Sequence, residues 1–303
     1  MAKPKAVNLL YRIEAVAWRA YLGGLGAMKL ESASKFGANV LPFIGPLTSA
    51  NKTALRNLRM CYPNESESWR RDVVRAMWAE IGRMSGEFPH MGEFVERLHK
   101  GEVVFENAKR LNDVIGKGAV YIGGHFSNWE VASLCLAQAD PTCFFTYRPA
   151  NNPIIDRDII ETRREFGLEL QAAKGAEGGR DLLRALMKQK TIALMNDQKY
   201  NMGLSVPLFG HECMTADGPT RLALRFKVPL IPITGKRIDG VRFLVRVHDP
   251  IHLDYDAPLE SEILAGVTRV NQFMEMRIRE APEQWFWVHR RWAKDAWWKA
   301  GVA

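Results

Sequence analysis

The sequence has little cysteine, and it lacks the motifs of a disulfide scaffold, a zinc site or a serine nucleophile. Its 303 residues include four cysteines, none in a Cys-x-x-Cys pair, and no Gly-x-Ser-x-Gly turn. So few cysteines in so long a chain predict reduced, mostly buried thiols. The missing turn weighs against a serine acyl-enzyme. We predict neither a metal ion nor a cofactor, because no Cys/His cluster has zinc-binding spacing.

Long apolar runs are also missing from the N-terminal part of the chain. Residues 7–28 are rich in apolar side chains but include three charged ones, and residues 36–51 are uncharged but contain Pro42 and Pro46. A membrane-spanning helix needs about 20 mostly apolar residues, and proline interrupts helices. The sequence therefore predicts no transmembrane span, no signal peptide and no continuous helix over residues 36–51.

The N-terminal segment instead predicts an amphipathic, basic helix. Leu10, Ile13, Ala17 and Tyr21 recur at helical spacing, with basic residues between them. Such a helix either lies in a membrane interface or packs on the folded domain. The segment alone does not distinguish these two alternatives.

Tryptophan is concentrated near the C-terminus. Five of the nine tryptophans are Trp285, Trp287, Trp292, Trp297 and Trp298, with basic residues interleaved. Tryptophan and basic side chains favour a membrane–water boundary, and a net charge of +8 favours anionic surfaces. Base stacking on nucleic acid and ordinary packing are the alternatives. We favour an anionic membrane surface over nucleic acid because no nucleic-acid-binding motif is present.

The pattern of apolar residues changes near residue 100. Residues 52–100 have helical periodicity, whereas later short apolar runs alternate with amphipathic stretches. Predicted strands cover residues 118–124, 142–147, 168–172, 191–195, 228–233 and 241–247, and predicted helices cover residues 128–137, 153–166, 179–188, 219–226 and 260–279. We therefore expect an α/β fold, with a mixed, mostly parallel sheet flanked by helices. Residues 1–100 form a helical N-terminal, membrane-associating region and residues 101–303 the α/β region.

One strand leads directly into a candidate catalytic motif. The predicted strand ends at Gly123 and Gly124, followed by His125 and, five residues later, Glu130. If His125 precedes the next helix, its ring can fold back toward Glu130, which would fix the tautomer and leave the other nitrogen free to accept a proton. With seven histidines and 34 acidic residues in the chain, such a pair is common by chance, so its spacing alone is not specific.

Four further blocks accompany this motif. They are Thr-Tyr-Arg-Pro-Ala-Asn-Asn-Pro from residue 146, Arg-Arg-Glu-Phe-Gly from residue 163, Asn-Asp-Gln from residue 196 with Val-Pro-Leu-Phe-Gly from residue 206, and Pro-Glu-Gln-Trp-Phe-Trp-Val-His-Arg-Arg-Trp from residue 282. With these blocks, the chain resembles the late acyltransferases of bacterial lipid A biosynthesis, the lauroyl/myristoyl family. That family is part of the His-x4-Asp/Glu group of glycerolipid acyltransferases.

The resemblance implies an activity and a place for it. It implies acyl transfer from an acyl carrier protein thioester to a hydroxyl of a lipid A precursor, at the cytoplasmic face of the bacterial inner membrane. By position it makes His125 the base, Glu130 its partner, and Arg148 and Arg163 the basic residues near the acceptor. Asp197 ends a predicted strand and is placed with these substrate-binding residues, although a simple capping role is an equal alternative.

The residues suit this chemistry. A histidine base removes the proton of a poorly nucleophilic hydroxyl, and a thioester is activated without a metal. Backbone N–H groups beside Gly123 and Gly124 are candidates for the oxyanion site, and guanidinium groups suit phosphate oxygens. A basic chain also attracts an acidic carrier protein. There are three alternatives to acyl transfer onto a lipid A precursor. The acceptor could be a mannosylated or glycerol-based phospholipid, the enzyme could hydrolyse the thioester, or the protein could bind a membrane surface without catalysis.

Overall fold

The computed structural model describes residues 8–147, 149–173 and 176–302 as an α/β fold. Its strands are β1 (Val103–Glu106), β2 (Val120–Gly123), β3 (Phe144–Tyr147), β4 (Leu170–Ala173), β5 (Ile192–Met195), β6 (Lys199–Leu208), β7 (His211–Thr215), β8 (Leu230–Asp239) and β9 (Arg242–Val247). Seven of them form one sheet in the order β1-β9-β8-β2-β5-β3-β4, in which only β8 and β9 pair antiparallel. Strands β6 and β7 form a separate antiparallel hairpin. The predicted mixed, mostly parallel sheet is confirmed.

Helices precede the sheet and cover both of its faces. They are α1 (Leu9–Gly26), α2 (Leu30–Ile44), α3 (Ser49–Cys61), α4 (Glu67–Glu87), α5 (Met91–His99), α6 (Trp129–Ala139), α7 (Pro153–Glu165), α8 (Ala176–Met187), α9 (Gly218–Phe226), α10 (Leu259–Glu280) and α11 (Lys294–Lys299). The predicted helical N-terminal part is therefore present, as α1 to α5. The division of the chain at residue 100 stays a prediction.

Alternating side chains of the central strand belong to two separate hydrophobic cores. Val120 and Ile122 pack on one face with α9, α10 and the C-terminal tryptophans. Tyr121 packs on the other face with α5 and α6. Because strand β2 is buried on both faces, it is a continuous apolar run in the sequence, as in other parallel sheets. Its carboxyl end is therefore held at a fixed position above the core.

The N-terminal helices differ from the prediction at one proline. The break predicted from the prolines is formed at the short 3-10 turn Gly45–Leu47, but Pro42 lies inside α2. Helix α2 packs closely along α4, and a Cβ added to Gly37 would lie 1.9 Å from the Gly82 carbonyl oxygen. This close helix contact stabilises α2 beyond what its residue propensities predict.

The C-terminal tryptophans do not form an exposed belt, so the membrane-surface interpretation of this cluster is wrong. Trp285, Trp287, Trp292 and Trp297 are all buried, and only Trp298 of the five is exposed. The Trp285 ring packs edge-on against the rings of Trp287 and Trp292, with 4.6 Å between the ring centres of Trp285 and Trp287. Burying such large rings stabilises the fold, which accounts for their concentration here.

No helix within the described ranges has both the length and the apolar character that crossing a bilayer requires. The four cysteines are free and buried, as predicted. Burial raises the pKa of Cys135 to about 12, which keeps that thiol protonated and unreactive.

Candidate active site

His125 lies in the turn between β2 and α6, beyond the carboxyl end of the sheet. Gly124 is required there because a Cβ would lie 2.5 Å from the Phe126 ring. Ser127 has a left-handed backbone with φ of 47°, and Asn128 caps α6 by accepting a hydrogen bond from the Glu130 N–H. The chain thus turns sharply before the helix begins, and His125 stays outside it. This is the edge at which α/β sheets bind their ligands.

A carboxylate holds the ring of His125, and it belongs to Asp197. The His125 Nδ1–H donates to Asp197 Oδ1 at 2.7 Å, and the His125 backbone N–H donates to Oδ2 at 2.8 Å. Asp197 follows β5, the neighbour of β2 in the sheet, so parallel pairing brings the two residues together. With Nδ1 engaged, Nε2 is the proton-accepting nitrogen of the neutral ring.

Asp197 is buried but stays ionised. Burial would raise its pKa, yet the charge and N–H groups of His125, together with the indole N–H of Trp285, outweigh burial and hold the pKa below its usual range. The Trp285 Nε1–H donates to Asp197 Oδ2 at 2.9 Å. A fixed negative charge beside the imidazole stabilises the imidazolium that forms when Nε2 accepts a proton.

Glu130 makes a different ion pair, which corrects the predicted partnership with His125. The Arg163 Nε–H donates to one Glu130 oxygen at 3.0 Å, and an Nη group of Arg163 donates to the other. Helix α6 begins at Trp129, so Glu130 already lies in its first turn, where its side chain meets α7. Arg163 thus lies at the site, as predicted, but holds Glu130, while Asp197 occupies the place predicted for Glu130.

A cavity of about 380 Å³ opens beside this dyad of His125 and Asp197. Its lining includes His125, Trp129, Glu130, Arg163 and Gln198. The amide N–H of Gln198 donates to His125 Nε2 at 3.3 Å, and the Trp129 ring packs edge-on against the imidazole. Neither Trp129 nor Gln198 was predicted as a site residue, although each lies beside a predicted one in the sequence. The proton-accepting nitrogen therefore faces a space large enough for a substrate group.

A smaller apolar pocket, of about 60 Å³, adjoins this cavity between α6 and the sheet. The two share Ser133, Phe145, Thr146 and Met195 in their linings. The rest of the pocket is mostly apolar, with Leu136 of α6 among its walls. The site thus combines a polar chamber with a narrow apolar extension.

The remaining predicted site residues are placed as follows. Gly123 lines the apolar pocket, and Gly124 packs against Phe126. Arg148 lies outside the described residues. Within the ranges that the structure covers, no group of three or more His, Cys, Asp or Glu side chains is arranged to hold a metal ion.

Comparison with known proteins identifies the family. A family model for bacterial lipid A biosynthesis acyltransferases matches residues 3–294, a range that includes the dyad, the Glu130–Arg163 pair and the lining of the cavity. The chain belongs to this family. It is an acyltransferase, an enzyme that transfers acyl groups. The resemblance read from the sequence motifs is confirmed.

Individual relatives of this acyltransferase are distant and differ in the acyl group that their names specify. The chain is 27% identical to the lipid A biosynthesis lauroyltransferase of Escherichia coli (strain K12), over 79% of this chain and 78% of that protein. It is 26% identical to the palmitoleoyltransferase of that organism, over 85% and 82%, and 23% identical to the myristoyltransferase, over 89% and 85%. The names of these three relatives thus specify three different acyl groups at similar sequence identity.

Proposed function

We propose that this acyltransferase moves a fatty acyl group from an acyl carrier protein thioester to a hydroxyl of a lipid A precursor, with His125 as general base. The observation that carries the proposal is the His125–Asp197 dyad, whose His125 Nε2 faces a cavity that adjoins an apolar pocket. This arrangement supports proton removal from a hydroxyl beside a bound acyl chain. Family membership supports a lipid A precursor as the acceptor.

The reaction needs one base and one oxyanion site. His125 Nε2 takes the hydroxyl proton as the alkoxide oxygen attacks the thioester carbonyl, giving a tetrahedral intermediate. Backbone N–H groups at Gly123, Gly124 or the start of α6 are the candidate donors to its oxyanion. The intermediate collapses to an ester and a thiolate, and the thiolate takes the proton from the imidazolium. Gln198 must release Nε2 before the hydroxyl binds.

Arg163 is the basic residue that we propose meets a phosphate of the acceptor. Its Nε and one Nη group are occupied by Glu130, while the other Nη group has no hydrogen-bond partner among the described residues. The side chain lines the cavity and is 20% exposed. A guanidinium held in this way presents its remaining N–H groups in a fixed direction, which suits a phosphate oxygen.

The apolar pocket, which at about 60 Å³ holds only a few methylene groups, is the proposed site for the end of the acyl chain, so its walls should set the preferred chain length. Replacing Ala193 in its wall with methionine shortens the pocket and is expected to shift the preference to shorter donors. Replacing Leu136 with alanine enlarges it and should favour longer donors. Competition between thioesters of several lengths, read by product mass, checks both variants. Shifts in the same direction, or no shift in either, would contradict this assignment.

We also propose that the N-terminal helix attaches the enzyme to the membrane surface, at the cytoplasmic face of the bacterial inner membrane. Helix α1 is tied to α7 by Arg19 and Asp158, and its Leu10, Ile13 and Val16 are 58–67% exposed. Such a face suits insertion into the headgroup region, and the net charge of +8 favours anionic lipids.

Charges placed on this face should release the enzyme from lipid vesicles. Ile13→Asp together with Val16→Asp is expected to weaken binding to anionic vesicles by at least about tenfold. Leu264→Asp together with Met276→Asp, at two half-exposed apolar residues of α10, adds the same charge and is the control, which should leave binding unchanged. Equal binding of all three proteins in a vesicle sedimentation assay would contradict membrane attachment through α1.

A matrix of donors and acceptors tests the proposed reaction. Acyl carrier protein and coenzyme A thioesters are each offered with a lipid A precursor, a mannosylated phosphatidylinositol or a lysophospholipid, and product masses are measured. We expect one added acyl group on the lipid A precursor, formed fastest from the carrier protein. Faster transfer to another lipid would reassign the acceptor, and thioester loss without any acylated product would reassign the enzyme as a hydrolase.

A further inference from the structure

The sequence block at residues 282–292, here named the C-terminal strap, crosses the turn that carries His125. The backbones of Phe126 and Trp285 form an isolated antiparallel bridge. On either side of it, the Ser127 N–H donates to the Gln284 carbonyl at 2.6 Å and the Phe286 N–H donates to the His125 carbonyl at 3.2 Å. The strap therefore pairs with the catalytic turn as a short ladder.

Trp285 of the strap also contacts the other member of the dyad. Its indole N–H and the His125 backbone N–H both donate to Asp197 Oδ2, which leaves Oδ1 for the His125 ring. Within the described part of the chain, Trp285 is the one side chain besides His125 that donates to this carboxylate. Because Trp285 itself is 2% exposed, water does not replace its N–H readily.

Distant elements fix the position of the strap. The amide N–H groups of Asn57 in α3 donate to the carbonyls of Trp287 and His289, at 2.8 and 2.9 Å. The His289 Nε2 accepts the N–H of Lys199, two residues beyond Asp197, at 3.0 Å. Helix α3 and the start of β6 thus hold the strap from both sides, so the indole of Trp285 has a defined place above the dyad.

We propose that Trp285 is a positioning residue for acyl transfer, which orients the Asp197 carboxylate so that His125 Nε2 points into the cavity. This inference rests on the proposed role of His125 as base. The Pro-Glu-Gln-Trp block at residues 282–285 takes no direct part in the proposed reaction, and this inference assigns it a role. The effect of Trp285 should appear in the chemical step and not in substrate binding, since Trp285 does not line the cavity.

Trp285→Phe tests the proposal because it removes the N–H and keeps an aromatic ring. We expect kcat to fall by about tenfold to hundredfold, the range for a hydrogen bond to a charged group, with KM for donor and acceptor unchanged. Trp78→Phe, in helix α4 and outside the strap, is the matched control. Its indole N–H donates to Asn51 Oδ1 at 2.9 Å, and its side chain is also buried. It should keep the kcat of the wild type when both variants are fully folded.

A loss of kcat below about tenfold in Trp285→Phe would overturn the proposal. Equal losses of kcat in both variants would also overturn it, because they would show that the role of Trp285 is purely structural. If Trp285→Phe does not fold, Trp285→benzothienylalanine, in which sulfur replaces the N–H within the same ring shape, decides by the same criterion. His125→Ala is measured alongside. Full activity in that variant would refute the proposed function itself, whereas an inactive His125→Ala beside a fully active Trp285→Phe would refute only this inference.

Discussion

Replacing His125 with alanine is expected to lower kcat for acyl transfer by about 10²–10⁴-fold, the usual contribution of a positioned general base. The reason is that Nε2 is the nitrogen that faces the cavity, while Nδ1 is held by Asp197. Initial rates with saturating thioester and lipid acceptor measure the effect. His252→Ala, at an exposed histidine away from the cavity lining, should keep the wild-type rate.

Loss of the His125 ring also removes one of the hydrogen bonds that the buried Asp197 carboxylate accepts, so folding must be checked together with activity. Circular dichroism and thermal unfolding of His125→Ala should show a folded protein, because Trp285 and a backbone N–H still bind the carboxylate. His125→Gln keeps an amide N–H for Asp197 but has no basic nitrogen, and it should be as inactive as the alanine variant. A folded variant of either kind with the wild-type rate would contradict the role of His125 as base.

Replacing Arg163 with alanine is expected to destabilise the fold as well as to reduce activity. It leaves the buried Glu130 carboxylate without a counter-ion, and breaking such a pair costs about 3 kcal/mol. Because the unfolding entropy scales with chain length, at about 2.1 cal/mol/K per residue, this loss lowers the Tm of a 303-residue chain by roughly 5 °C. The double variant Glu130→Leu with Arg163→Met should recover most of the lost stability, since it leaves no unpaired charge, but not the activity.

Arg19→Ala is the matched control for this experiment. Arg19 also pairs with a carboxylate on the α1–α7 side of the molecule, through Asp158, but its side chain is 57% exposed. An exposed pair contributes about 0–1 kcal/mol, so the Tm of this variant should lie within about 2 °C of the wild-type value. A similar loss of Tm in Arg19→Ala and Arg163→Ala would show that burial does not distinguish the two pairs. Full activity in the double variant would exclude Arg163 from substrate binding.

The sequence predicts those parts of the fold that depend on local patterns. The central strands are uninterrupted apolar runs because they are buried on both faces, and β2 ends in Gly123 and is followed by Gly124, where the chain must turn at Phe126. These signals lie within about ten residues of one another, so the place of His125 at the end of a strand follows from them. The β6–β7 hairpin was not predicted, although its Pro-Leu-Phe-Gly block was noted.

The partnership within the site could not be predicted, because it depends on strand order. His125 and Asp197 are 72 residues apart and meet only because β2 and β5 are neighbours. Glu130 is close to His125 in sequence, but α7 brings Arg163 to it from another part of the chain. The membrane-surface interpretation of the C-terminal tryptophans is wrong for a similar reason. The residue types in this segment suit a membrane surface, but packing against the core buries four of the five tryptophans.

The most direct test of the His125–Asp197 dyad is the neutralisation of each carboxylate in turn. Asp197→Asn and Glu130→Gln keep the shape of the side chain and remove its charge, and kcat and KM are measured for both variants. We expect a fall in kcat of about 10²–10⁴-fold for Asp197→Asn, because the imidazolium loses its counter-ion and the ring its defined tautomer. For Glu130→Gln we expect a higher KM for the acceptor and a kcat that falls by less than about tenfold, because Glu130 acts through Arg163. A larger loss of kcat in Glu130→Gln, with Asp197→Asn near the wild type, would refute the His125–Asp197 dyad and make Glu130 the partner of His125.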